Sequence, residues 1–346
     1  MMGENAIFAF SFFILIMSNK IIGLGNALVD VLIGLESDDA LSELGFSRGS
    51  MNLVGRDKHM QISDLTEGLN YHYVSGGSAA NTIRGLAALG IYTGYIGKIG
   101  YDEVGNHIES ELTEYGIEVR LKKSHSPTGQ CMVLISPDGE RTMATFLGAA
   151  VEMEAKDVSY SMFDGFDILH IEGYLLQNNE LITESVKKAR EKGLCISMDM
   201  ASYNVVVENK EFIHDLVVNY VDIVFANEEE AVAFTGKGPY AAVDIIASMC
   251  KVAIVKLGKE GALIKSGEKL IKVEVEDANA RVVDTTGAGD LFATGFLYGF
   301  TRKYELETCG YIGSLLACKV IQNIGPRITP EQWPELKTIL SVKNLL

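Results

Sequence analysis

From residue 21 to residue 300 the chain alternates two kinds of segment, and that alternation limits the folds open to it. Short apolar runs recur as IIGLGNALVDVLI (21–33), YTGYIGKIG (92–100), DILHIEG (167–173), LCISMDM (194–200), VDIVFAN (221–227) and VAIVKLG (252–258). Between them lie amphipathic stretches of helical period, among them 78–90, 179–193 and 289–300. Short strands separated by helices of about 10–15 residues build βαβ units, and those units assemble a mainly parallel sheet. The expected fold is therefore α/β, a central parallel sheet flanked by helices. Such a sheet binds ligands beyond the carboxyl ends of its strands, in the loops that lead to helices. No repeat of 20–50 residues and no low-complexity tract interrupts the pattern.

Two stretches depart from it. Residues 31–55 follow the first strand without an evident helical crossover, and 128–148 reads as two strands around Pro137-Asp138-Gly139, a hairpin signal. Tyr71 to Val74 adds a further candidate strand. These pieces are expected to form a small β-rich lid, drawn from about 31–55, 70–75 and 120–148, over the carboxyl edge of the main sheet. An antiparallel extension with no moving part is the alternative. Length alone, 346 residues, would allow about two average domains. The continuous alternation argues instead for one domain over 17–346 that carries the lid.

The amino terminus needs separate treatment. Ala6 to Met17 is an apolar run too short for a membrane span, which takes about 20 residues. The residues before it carry Glu4 and no Lys or Arg, which is poor signal-peptide chemistry. Residues 1–16 are read as an over-long start or a disordered extension, with initiation at Met17. An ordered extra segment and a signal or anchor are the other readings.

Composition narrows the function. Thirty Lys and Arg stand against 46 Asp and Glu, a formal net charge of −16. A general nucleic-acid-coating surface needs a positive field and is excluded on that ground. A small anion is still allowed, because helix N-termini can hold it locally. The five cysteines form no C-x-x-C pair and read as reduced thiols of a cytoplasmic protein. The six histidines are scattered, so a histidine-based metal site has no local support. No membrane partner is expected.

The sharpest motif is Asp284-Thr285-Thr286-Gly287-Ala288-Gly289-Asp290, followed by the apolar helical run LFATGFLYGF. Small residues at 287–289 let backbone approach a ligand closely, and the following helix turns its N-terminus on the same spot. Free N–H groups and the helix dipole favour a phosphate there. An acid in that first turn, Asp290, is placed to act as general base on a hydroxyl while the amides of Gly287, Ala288 and Gly289 stabilise a transferring phosphoryl group. A Walker A motif is absent.

The string DTTGAGDLFATGFL strongly resembles the carboxyl-terminal signature of the ribokinase (PfkB) family of small-molecule kinases, with Leu291 and Thr294 larger than the commonest residues there. The resemblance runs from about Lys20 to Leu340. It implies a ribokinase-like α/β fold with a lid and phosphoryl transfer from ATP with Mg²⁺. It leaves open a monovalent cation such as K⁺, and a monomer or a homodimer. Gly76-Gly77-Ser78-Ala79-Ala80-Asn81 is similar to the family's G-G-x-x-x-N substrate motif, and Ser78 would also serve as an N-cap. The stretch from Gly25 and Asn26 to Asp30 resembles the first-strand motif, whose aspartate holds a vicinal diol. Asn227 and Glu230 resemble N-x-x-E, used to organise Mg²⁺ through water, and the same spacing is a capping box. Lys256, Gly258 and Gly261 resemble a K-x-G-x-x-G stretch beside the nucleotide, and Asn323 a position that lines the adenine. The G-x-x-G-x-D-x-x-G element around Asp102 is read as structural.

The acceptor is the finer question. Sugar kinases of the family often carry D-x-N-x-R after a central strand. Here Asp199 stands and the arginine is missing, so a sugar phosphate loses support. The segments TGQCMVLISPDGERTMATFLGAA, HIEGYLL and LLACKVIQNIGPR look more like bacterial adenosine kinase-like proteins. Adenosine converted to AMP is the expected reaction, with a purine stacking on an aromatic such as Phe146, or Phe146 packing within the hairpin instead. A free sugar such as ribose or fructose is the alternative acceptor. A sensor that kept the fold without the chemistry is the alternative of another class.

Overall fold

The computed structural model describes residues 20–69, 71–277 and 280–346. The expectation for residues 1–16 lies outside the described residues. The strands are β1 (Lys20–Leu24), β2 (Leu28–Gly34), β3 (Met51–Leu53), β4 (Tyr71–Ser75), β5 (Tyr92–Gly100), β6 (Glu118–Ser124), β7 (Thr128–Ile135), β8 (Arg141–Gly148), β9 (Ile168–Glu172), β10 (Cys195–Asp199), β11 (Ile223–Asn227), β12 (Val252–Lys256), β13 (Ala262–Ser266) and β14 (Lys269–Val273). The helices are α1 (Asp39–Leu44), α2 (Arg56–Leu65), α3 (Ser78–Ala88), α4 (Glu103–Glu114), α5 (Asn179–Glu191), α6 (Tyr203–Asn219), α7 (Glu228–Thr235), α8 (Pro239–Ala247), α9 (Ala288–Thr301), α10 (Leu306–Val320) and α11 (Trp333–Val342).

Among the described residues a nine-stranded sheet runs β14-β13-β12-β11-β10-β9-β1-β5-β6, parallel from β12 through β6 and antiparallel at β12-β13-β14. Strand residues alternate between its two faces, as the pleat requires. Ile21, Tyr95, Ile168 and Phe225 point into the layer that holds α3, α9 and α10. Ile22, Leu24, Leu169, Ile171 and Val224 point into the layer of α5, α6 and α8. The strand order reverses at β1, which lies between β5 and β9. That makes a crevice at the carboxyl ends of β1 and β9, the place where open α/β sheets take ligands.

A five-stranded sheet, β3-β8-β7-β2-β4, stands beside this crevice. Its two faces differ. Val29, Val31, Ile33, Met132, Leu134 and Ala144 are buried together with Leu41 and Leu44 of α1 and Ile62 of α2. The opposite face carries Asp30, Leu32, Val133, Arg141 and Met143 toward the main sheet's loops. The hairpin at Pro137-Asp138-Gly139 joins β7 to β8 in antiparallel register.

The apolar run 21–33 divides at Gly25–Ala27, and β1 and β2 join different sheets. One expectation is corrected here: the lid range drawn from 120 begins too early, because β6 pairs in parallel with β5 at the edge of the main sheet. Among the described residues no helix is long and apolar enough to cross a membrane.

Candidate active site

The crevice is held together by a residue that sequence reasoning missed. Glu172, at the carboxyl end of β9, is 1% exposed. Its Oε1 accepts from Asn26 N and from Asn26 Nδ2, both at 2.8 Å, and its Oε2 accepts from Ala79 N at 2.9 Å. One carboxylate thus joins the loop after β1 to the first turn of α3. Because the Asn26 amide turns its NH₂ to Glu172, its Oδ1 is left for another donor. Burial pushes the Glu172 carboxyl up to about 7, against the pull of its three donors. The only signal in the sequence was an acid closing the otherwise apolar strand HIE before Gly173.

Asp290 lies in the first turn of α9, opposite α3. Ser78 Oγ donates to its Oδ1 at 2.7 Å and Asn81 Nδ2 to its Oδ2 at 2.8 Å. The other end of the same turn is fastened by Thr294, whose hydroxyl reaches Asp290 O at 2.9 Å and Thr82 O at 3.2 Å. The larger residue at 294 therefore ties α9 to α3. Burial raises the Asp290 carboxyl to about 6, with the donated hydrogen bonds opposing the rise. Ser78 is not the N-cap expected of it. Gly77 is, at φ 88°, and Ser78 is the first helical residue, turned onto Asp290. A side chain at Gly77 would also meet the Asn26 carbonyl at 2.5 Å, so the loop after β1 and the turn into α3 can touch only with glycine there.

Gly287 is the N-cap of α9 with φ 77°, packed on Pro326. Of the three amides expected to form an anion hole, that of Ala288 donates to Thr285 O at 3.1 Å. The expectation is corrected to that extent: the Ala288 amide is engaged within the loop. Asp284 shapes the loop from below. It accepts from Thr286 N at 3.0 Å, Thr286 Oγ1 at 2.7 Å and Gly325 N at 2.7 Å, and it pairs with Arg141 of β8 at 2.5 Å.

Between the small sheet and this loop lies a pocket lined by Asp30, Leu32, Val74, Val133, Arg141, Met143, Thr286, Gly325 and Pro326, with about 340 Å³ of empty space open to solvent. Asp30 supplies the one carboxylate, packed against the backbone of Gly76. Burial raises it to about 6, while Arg84, Arg327 and Arg141 pull it down. Phe146 does not face this pocket. Its residue parity puts it on the covered side of β8, against His59 of α2 at 4.9 Å between ring centroids. The stacking role expected of it is withdrawn, and the pocket wall holds no aromatic side chain: it is apolar except at Asp30, Arg141 and Thr286.

On the far side of Asp290 stands a buried ion pair. Lys256 Nζ, at the end of β12, is 2.8 Å from Asp199 Oδ2, at the end of β10. Burial alone would lower Lys256, but Asp199 and Glu230 outweigh it and hold the ammonium above its ordinary range. Burial would likewise raise Asp199, and Lys256 reverses that. The ammonium reaches the glycine loop: a Cβ on Gly289 would lie 3.0 Å from it.

The remaining expected nucleotide residues are less open. Asn227 and Glu230 form a closed capping box on α7, with Asn227 N and Nδ2 donating to Glu230 at 2.8 and 2.6 Å and Glu230 N donating back at 2.8 Å. Burial raises Glu230 to about 7. Gly261 is required by its own sheet, because a Cβ there would collide with Val273 O. Gly258 turns the chain at φ 57° in open space. The Asn323 side chain is committed to Lys319 O at 3.1 Å and Gln332 Oε1 at 2.8 Å, which removes the ground for an adenine contact by its amide nitrogen. Asp102 caps α4 through Gly105 N and also binds Thr128 N, a structural role as expected.

Comparison with known proteins agrees with this geometry. The sequence model described as pfkB family carbohydrate kinase matches residues 48–333. A structure described as adenosine kinase from Sinorhizobium meliloti superposes with a TM-score of 0.83 at 33% identity, over 92% of this chain and 99% of that one. A structure described as a probable sugar kinase from Rhizobium etli CFN 42 gives a TM-score of 0.84 at 33% identity, over 94% and 99%. In sequence, adenosine kinase of Schizophyllum commune is 28% identical over 93% of this chain and 99% of its own length.

Proposed function

The chain belongs to the pfkB family of carbohydrate kinases, an enzyme acting on a nucleoside or sugar, and on that premise we propose that it transfers the γ-phosphoryl group of ATP to the 5′-hydroxyl of a purine nucleoside, adenosine first. The observation that carries the choice of acceptor is the pocket beside Asp30. It sets one carboxylate against a wall of Leu32, Val74, Val133 and Met143. A ribose diol suits the carboxylate, and a flat base suits the aliphatic wall. A free sugar would turn more hydroxyls toward that wall, and the pocket's two other polar side chains, Arg141 and Thr286, are already engaged with Asp284.

The proposed reaction uses this chain's own groups. Asn26 Oδ1 and Asp30 accept from the ribose hydroxyls. Asp290 takes the proton of the attacking hydroxyl as the new O–P bond forms and the bridging P–O bond of ATP breaks, releasing ADP. The amides of Gly287 and Gly289 and the Lys256 ammonium bear the charge of the transferring group. Mg²⁺, carried by the ATP phosphates, would offset their charge, and Asn227 and Glu230 would meet it through its water shell. Asn227 and Glu230 spend their polar atoms on each other, and among the described residues no group of three His, Cys, Asp or Glu side chains converges as a metal site. A hydrated ion carried by the nucleotide suits such a site better than a protein-held one.

A coupled ADP-release assay with adenosine, inosine, ribose and fructose tests the reading. Turnover with adenosine supports it. Turnover with a free sugar alone keeps the chemistry and removes the nucleoside.

Two further results are expected. Asp290 and Asp30 must both be ionised to work and both sit near 6. On the acidic side kcat/KM should therefore fall as the pH drops through about 6, the two carboxylates titrating as a pair. A profile flat down to about pH 5 would contradict the assignment. Glu172→Gln puts an amide NH₂ against groups that only donate and releases Asn26. The acceptor KM should rise about tenfold with kcat changed less, the pattern of lost ground-state binding. An unchanged KM would leave Glu172 without a role in acceptor binding.

A further inference from the structure

Asn81 joins two groups that make opposite demands on it. Its Nδ2 donates to Asp290 Oδ2 at 2.8 Å, and its Oδ1 accepts from Arg84 Nη2, one helical turn along α3. An amide can turn either end to a neighbour, and nothing in Asn81 itself chooses. Arginine chooses for it, because a guanidinium has donors and no acceptor. With Arg84 in place the Asn81 oxygen must face it, and the NH₂ must face Asp290.

Arg84 is itself fixed. It is 5% exposed, and its Nη2 also reaches Ser75 O at 2.6 Å. Glu111 of α4 lies 3.9 Å from its Nη1. Glu111 is held in turn by Arg327 and by the Ser75 hydroxyl, and Arg327 shares Ser75 O at 2.9 Å. Burial and the neighbouring Arg327 lower the Arg84 guanidinium to about 10, which still leaves it charged at neutral pH. Strand β4, helix α4 and the segment before α11 thus converge on one arginine of α3 that is outside every motif read from the sequence.

We propose that Arg84 is a positioning residue for catalysis: it dictates the orientation of the Asn81 amide and so keeps a hydrogen-bond donor on Asp290 throughout turnover. This rests on the reading of Asp290 as the base. A base that gains a proton in each cycle loses its own hold on a neighbouring amide, since a carboxyl group can both donate and accept. Arg84 supplies the hold that does not change.

The test is a pH profile within a double-mutant cycle on the full chain. The groups that bear on Asp290 are Ser78 and Asn81 of α3, Asp30 of β2, Glu172 of β9, Tyr174 just after it, Asp199 of β10 and Lys256 of β12. A change at 84 reaches two of these directly: it frees the Asn81 amide, and it removes a charge that pulls Asp30 down, a contribution that does not pass through Asn81. Arg84→Met should move the acidic midpoint of kcat/KM upward by about one pH unit and lower kcat about tenfold, because the donor that favours ionised Asp290 is no longer fixed. Arg84→Lys, a donor without an acceptor, should restore the midpoint. Arg84→Gln should not, because its amide can face Asn81 either way. In an Asn81→Ala background the change at 84 should leave only the smaller shift that arises from Asp30, so the part carried by Asn81 appears as the non-additive term of the cycle. Should the methionine variant fail to fold, the glutamine variant carries the same cycle.

An unmoved midpoint in the Met or Gln variant overturns the proposal, and so do additive effects in the cycle. Asp290→Asn separates the two readings. Near-normal turnover in that variant removes the base, whereas lost turnover with an unmoved Arg84 midpoint removes only the positioning role.

Discussion

Asp290→Asn should lower kcat by roughly 10²-fold to 10⁴-fold, the scale of general-base loss, with the acceptor KM within a few-fold of wild type. Asparagine has the same shape and keeps an oxygen for the Ser78 hydroxyl, so the first turn of α9 and its Thr294 tie to α3 should survive. The groups assigned to acceptor binding, Asn26 and Asp30, are on other elements. What is lost is the only side chain in that turn that can take a proton. The measurement is single-turnover phosphoryl transfer with saturating ATP and acceptor. Turnover within tenfold of wild type would mean that another group, or none, removes the proton.

Lys256→Met should show two separable losses. Asp199 is buried and its charge is balanced by the lysine, so removing the lysine leaves an uncompensated carboxylate at a cost of about 3–5 kcal/mol. The melting temperature should drop accordingly. Turnover should fall by roughly 10²-fold to 10³-fold, as for the loss of one preorganised group at a developing charge. Adding Asp199→Asn removes the unpaired charge, so the double variant should recover most of the melting temperature and none of the turnover. Recovery of both would make the pair a purely structural strut. The missing arginine after Asp199 gives this result its interest: the cation comes from β12 instead, 57 positions further along the chain.

How far the sequence could carry these conclusions follows from the range of each interaction. Helices such as α3, α5 and α9 and strands such as β5 and β10 were legible because their periods are local. The glycine loops were legible because close backbone approach demands particular residues. That the two halves of 21–33 join different sheets was not, because both are apolar and only their pairing tells them apart. The face taken by Phe146 depends on parity in a paired register, and a hairpin signal does not fix which side is covered. Glu172 and the Lys256–Asp199 pair owe their roles to partners 57 or more positions away in the chain, and Arg84 has Glu111, 27 positions on, beside its guanidinium. Arg84 in particular reads as an ordinary charge on an amphipathic helix until the contact of α3 with α4 is known. The capping box at Asn227 was legible as a box, and its closure on itself was not.

The ion pair between Arg141 and Asp284 has a thermodynamic consequence. Arg141 belongs to the sheet that walls the acceptor pocket, and Asp284 belongs to the loop that would receive the phosphoryl group. The two binding events therefore share a joint. Any preference that an acceptor has for one setting of that joint is felt as a change in nucleotide affinity, and the dependence is reciprocal: the factor by which acceptor alters nucleotide binding must equal the factor by which nucleotide alters acceptor binding. On the proposed reading the salt bridge is one such link, beside the loop residues Thr286 and Gly325 that line the same pocket, and cutting it should weaken the coupling between the two affinities.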